Sequence, residues 1–101
     1  DTEMIAAMVT HLSKHWRSAR VAIWYPVTQD YSKTERMIKA VREASRPFDM
    51  LDIEMTWADQ RGTGMLLVQP PFGIDAELEH RVLPDLAAVL GATGTRVDWI
   101  V

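Results

Sequence analysis

The chain has 101 residues, 48% of them hydrophobic and 25% charged, with a net charge of −3 and no cysteine. That composition is ordinary for one soluble globular domain, which at this size buries roughly 65% of its unfolded surface. It excludes disulfides, thiolate metal sites and thiol nucleophiles, and gives no general electrostatic reason to expect nucleic-acid binding.

No apolar run approaches the ~20 residues that span a bilayer, and the start Asp1-Thr2-Glu3 is unlike a signal peptide. The lack of an initiator Met points to processing or truncation. Residues 2–16 read as an amphipathic helix capped by Thr2, with Met4, Ile5, Met8, Val9, Leu12 and Trp16 on one face. A strand over 18–25 follows, Val21-Ala22-Ile23-Trp24 being continuous enough to be buried on both sides, and Pro26 is expected to stop it.

Ser32-Lys33-Thr34-Glu35 has the pattern of a capping box. The helix it starts runs to about Ala44, buries Met37, Ile38, Val41 and Ala44, and breaks at Arg46-Pro47. Leu51, Ile53, Met55 and Trp57 alternate with Asp52, Glu54 and Thr56, which predicts a strand with one wet face, near a sheet edge. A polar loop over 58–63 is short enough for a hairpin with Met65-Leu66-Leu67-Val68, an unbroken apolar run expected to be buried on both faces. Helical spacing returns over 74–90, with a kink expected at Pro84 and Gly91 as a left-handed cap. Residues 96–101 close the chain as a strand.

Strands joined across a helix should be parallel, while the hairpin makes the Met65 strand antiparallel. Its continuous apolar character places it between the Val21 strand and the one-sided Leu51 strand. The expected fold class is α/β, a parallel sheet with an inserted antiparallel strand. This is the far half of the methyltransferase variant of the doubly wound fold.

Several motifs occur together in order and spacing: Ala22-Ile23-Trp24-Tyr25-Pro26-Val27, Asp59-Gln60-Arg61-Gly62 with Gly64-Met65, Pro70-Pro71-Phe72, Val82-Leu83-Pro84, and Gly94-Thr95 to Trp99-Ile100-Val101. Over essentially all 101 residues the chain resembles the C-terminal part of the ribosomal RNA large-subunit methyltransferase J family. The resemblance implies a Rossmann-like enzyme that transfers methyl from S-adenosylmethionine to the exocyclic amine of adenine in 23S-type rRNA, in the cytoplasm. It also implies that the cofactor loop and a catalytic Asp-Pro-Pro-Tyr precede the helix at Thr2. Residues 1–101 are then a single unit, the C-terminal part of a longer methyltransferase domain. Its partners are the missing N-terminal half and rRNA, and no cofactor is expected on this chain alone.

Gln69-Pro70-Pro71-Phe72 resembles the active-site motif of amino-group methyltransferases, with Gln69 where Asp or Asn is wanted. Sites in open α/β sheets form at the carboxyl ends of the parallel strands. An antiparallel Met65 strand ends at the opposite edge, so its prolines are read as ending a buried strand and Phe72 as packing under the next helix. By the same topology Trp24, Tyr25, Pro26 and the 59–63 loop share the active edge. There Tyr25 or Trp24 can stack on a flipped adenine and Gln60 or Arg61 can hold a phosphate, although Trp24 also reads as core.

His11 and His15 have metal-compatible spacing but no third ligand, and no metal is expected. Arg36, Lys39, Arg42 and Arg46, with Glu35 and Glu43, read as a solvated helix face. Asp52, Glu54, Asp75 and Glu77 do not suggest paired catalytic carboxylates. The alternatives are a non-catalytic α/β interaction module pairing with a separate chain, or a site at Gln69 served by an unrecognised cofactor loop. An unpaired Val21 strand further predicts self-association through that strand or the first helix.

Overall fold

The computed structural model describes the backbone of residues 2–15 and 20–101, and the side chains of 2–11 and 20–101. In chain order the elements are α1 (Thr2–His15), β1 (Val21–Val27), α2 (Ser32–Ser45), β2 (Met50–Thr56), β3 (Gly62–Val68), α3 (Ile74–Glu77), a π-helical turn (Leu78–Val82), α4 (Leu83–Leu90) and β4 (Gly94–Trp99). The four strands form one sheet in the order β1-β3-β2-β4. As the apolar run of β3 predicted, that strand lies between β1 and β2, antiparallel to both.

β1 and β2 therefore run in the same sense, but β3 separates them and β4 is antiparallel to β2. The expectation of a parallel sheet is corrected: every adjacent pair among the described residues is antiparallel. The reason is the inward fold of the β2–β3 hairpin, which fills the place where a parallel ladder would form. β2 is near an edge but does not form it, since β4 takes its outer side and leaves β1 and β4 as the edges among the described residues.

Alternation along each strand divides the sheet into two faces. On one, Tyr25 and Val27 of β1, Met50 of β2 and Leu66 and Val68 of β3 pack with Val9 of α1 and with Met37 and Val41 of α2. On the other, Ile53, Met55 and Met65 meet Leu78, Val82, Leu83 and Leu86 from the helical segment after β3. Met65 is partly exposed there, so the apolar run is not buried on both sides throughout.

Several local expectations change for identifiable reasons. Pro26 lies within β1 instead of stopping it, which an edge strand tolerates because one row of its backbone groups has no ladder partner. Met4 and Met8 of α1 are exposed, whereas Val9 is buried and Ile5 packs against the core. The expectations for Leu12 and His15 as side chains, and for Trp16 and Ser18, fall outside the described residues.

The capping box does not form. Ser32 is already helical and gives its hydroxyl and its backbone N–H to Asp30 Oδ1, at 2.7 and 3.1 Å. Those hydrogen bonds hold the Asp30 carboxyl below its ordinary range, the hydroxyl's contribution being the larger. Pro84 follows the π-helical turn, in which the Leu83 N–H reaches back to Leu78. The wider turn absorbs the bond that proline cannot make. Gly91 closes α4 at φ 74°, its N–H bonded to the Ala87 carbonyl, as a left-handed cap requires.

Candidate functional site

The C-terminal end of β1 and the loop between β2 and β3 meet at one end of the sheet. Tyr25, Pro26 and Val27 pair with Gly64, Thr63 and Gly62. The loop is held by its own backbone, through Trp57 N–H to Arg61 O and Gln60 N–H to Trp57 O, both at 2.9 Å, with Gln60 at φ 66°. Asp59 Oδ1 accepts from the Arg61 N–H at 3.1 Å, and the Gln29 side chain reaches the Asp59 carbonyl at 3.4 Å. The loop is thereby tied to the chain leaving β1. Between it and the end of α4, Trp57, Arg61, Gly62, Gly91 and Thr93 line an open concavity of about 520 Å³.

Sequence reasoning placed Trp24, Tyr25, Pro26, Gln60 and Arg61 here, and the structure brings their backbones to this end. Pro26, Gln60 and Arg61 are exposed. Trp24, read as core, is 64% exposed and donates its indole N–H to the Thr63 hydroxyl. Tyr25 points the other way and is buried. Successive strand residues face opposite sides, so only one of the two aromatics can serve the surface, and the packing of α1 and α2 takes Tyr25.

The opposite end of β3 carries Gln69. Its N–H bonds to the Asp49 carbonyl at 2.8 Å, its φ is 57°, and its buried Oε1 has no hydrogen-bond partner. Phe72 does not pack under the following helix; it is fully exposed. Arg42 of α2 donates to the Phe48 carbonyl at 2.6 Å, and Arg46, just after α2, lies 3.5 Å from Glu43, so both guanidiniums have local partners. Among the described residues no group of three metal-ligating side chains assembles.

Under the Tyr25 ring lies a cluster that the alternation of β2 concealed. Asp52 and Glu54, expected on a wet face, are 0% and 6% exposed. The Tyr25 ring crosses over Gly64, where even a Cβ would come within 2.1 Å of it. Its hydroxyl thus reaches Asp52 Oδ1, and Glu54 Oε2 at 2.6 Å. Tyr31, just before α2, donates its hydroxyl to Glu54 Oε2.

Arg96 of β4 completes the cluster. Its Nη2 stands 2.8 Å from Asp52 Oδ2 and 2.7 Å from Glu54 Oε2, and its Nη1 2.6 Å from Asp98. Burial is tolerated because the carboxylates are paired and hydrogen-bonded. Burial, then the hydrogen bonds to Asp52 and Glu54, raise the Tyr25 hydroxyl far above the ordinary phenol range; burial and Glu54 raise Tyr31 likewise. Burial works against the Arg96 cation, but the bond to Asp98 and the charges of Glu54 and Asp52 outweigh it and hold the guanidinium above its usual value. The legible signal was Asp52-x-Glu54 on one face of a strand that turned out to have neighbours on both sides.

The architecture is thus a four-stranded antiparallel sheet with helices on both faces, a polar cluster beneath one and an exposed tryptophan on the other. Residues 1–101 match the family Ribosomal RNA large subunit methyltransferase D, RlmJ, and the chain belongs to it. No curated protein matches the chain. Among the described residues no helix is long and apolar enough to cross a membrane.

Proposed function

We propose that this chain forms the substrate-side part of a Rossmann-like, S-adenosylmethionine-dependent methyltransferase acting on the adenine amino group of 23S-type rRNA in the cytoplasm. The observation that carries the reading is the family match over 1–101, taken with the exposed Trp24 and Arg61 at one end of the sheet. In this reading Trp24 stacks on an RNA base, Arg61 and Gln60 approach a backbone phosphate, and Pro26 lines the approach. Tyr25 does not stack; it anchors the end of β1 from below. Gln69 has no catalytic role, because β3 delivers it to the far end.

S-adenosylmethionine would supply the methyl group. The turns that lead from a strand into a helix, 28–31 and 69–73, are not glycine-rich and give no cradle for it. Arg61→Ala and Trp24→Ala are each expected to weaken binding of an rRNA fragment about tenfold, at the scale of one phosphate contact or one stacked base. Unchanged affinity in both variants, measured by fluorescence anisotropy, would remove the substrate-side assignment.

A second reading, a non-catalytic module that pairs with another chain or with itself, is favoured by the outer edge of β1, which has no strand partner among the described residues. Light scattering at high concentration tests it, and a stable monomer without an added partner chain speaks against self-association.

A further inference from the structure

Counting hydrogens in the Tyr25 cluster leaves one proton to be found. The Tyr25 hydroxyl meets two carboxylate oxygens, Asp52 Oδ1 and Glu54 Oε2, yet a phenol carries one hydrogen. Glu54 Oε2 also accepts from Tyr31. Three oxygen-to-oxygen contacts thus share two phenolic hydrogens. With both carboxyls ionised, one contact would set lone pair against lone pair between buried groups. Arg96 does not make up the deficit: its hydrogen bonds go to Asp52 Oδ2, Tyr31 and Asp98, and its ion pair with Glu54 Oε2 at 2.7 Å adds no hydrogen between Tyr25 and either carboxyl. Charge leads to the same place: two buried carboxylates face one guanidinium, which they share with Asp98.

We propose that Asp52 and Glu54 hold one proton between them in the folded protein, and that its release is a pH-sensitive latch on the join between β1, β2 and β4. The proton is taken from solvent as an O–H bond on one carboxyl and returned to solvent when that bond ionises. With it in place, one carboxyl donates to the Tyr25 oxygen while Tyr25 donates to the other, and the pair carries a single negative charge that Arg96 neutralises. Without it, the second charge repels the first at close range. The groups facing the pair are Tyr25 of β1, Tyr31 ahead of α2, Arg96 and Asp98 of β4, and Glu35 and Lys39 of α2, which line a cavity of about 450 Å³ together with the pair. β3 contributes Gly64 beneath the Tyr25 ring.

The Asp52 carboxyl is pushed up to about 6. Burial is the main cause; the Tyr25 bond opposes it, the Glu54 charge adds to it and Arg96 opposes it. The folded value lies above the unfolded one, so the stabilisation is fully present below about pH 4 and is lost as pH rises through about 6. The latch is closed in acid and loosened at neutrality.

Side-chain carboxyl ¹³C NMR across this range tests the proposal. One carboxyl of the pair is expected to titrate near pH 6. Asp52→Asn should abolish that step and remove a roughly hundredfold fall in the folding equilibrium between acid and neutral pH. Both carboxyls titrating in the ordinary range near 4 would overturn the proposal even if Asp52→Asn did not fold.

Discussion

The two faces of this sheet solve the same burial problem with opposite chemistry. Beneath α1 and α2 the sheet buries two carboxylates and a phenol, bridged to an arginine, beside an aliphatic core. Beneath α3 and α4 the contacts are almost wholly apolar, yet Trp24, Met65, Leu86 and Leu90 remain substantially exposed. Polarity therefore does not predict which face is sealed. A face with charged residues closes when hydrogen bonds and an ion pair meet them at the right register, and an apolar face can stay partly open.

The largest expected effect tests the tightness of the polar face. Gly64→Ala places a Cβ about where the Tyr25 ring lies, and that ring is buried and held at its hydroxyl, so it has nowhere to swing. A loss of about 3 kcal/mol in denaturant unfolding is expected, from overpacking plus the stranding of two carboxylates. A loss below about 1 kcal/mol would show that the ring moves freely. On the apolar face, Leu83→Ala removes the most buried side chain of α4 and should cost about 2.5 kcal/mol, independent of pH.

Arg96→Met sharpens the contrast. It should cost about 2 kcal/mol at pH 7, less than a fully buried pair because Arg96 is half exposed. Without the guanidinium the carboxyls hold protons more tightly, so the penalty should shrink as pH falls toward 5. A pH-independent loss would mean that Arg96 acts through packing alone. Smallest of all, Trp24→Ala should change stability by no more than about 0.5 kcal/mol, since its ring is mostly in water. A loss above about 2 kcal/mol would make it a core residue after all.

Local pattern made much of the fold legible. The apolar run at Met65-Leu66-Leu67-Val68, against one-sided alternation in β2, was enough to put β3 between its neighbours. That order in turn brought Trp24, Pro26, Gln60 and Arg61 to one end of the sheet and sent Gln69 to the other. The capping pattern at Ser32 misled because Asp30, two residues earlier, competes for the same hydroxyl. Pro84 announced an irregularity, and its form, a π-helical turn, follows from keeping the helix continuous past a missing N–H.

What the sequence determined by itself is whatever depends on neighbours along the chain: periodicity, helix ends, the glycine cap, and the direction of a hairpin. Only the tertiary structure decided the phase of β1 and the fate of Asp52 and Glu54. Val21 to Tyr25 is apolar at every step, so nothing local says whether Trp24 or Tyr25 turns inward; the helices on one face choose. Alternating acids on a strand read as wet because a lone carboxylate is too costly to bury. Tyr25, Tyr31 and Arg96, which remove that cost, lie between 21 and 44 residues away in sequence and become neighbours only through the register of four strands.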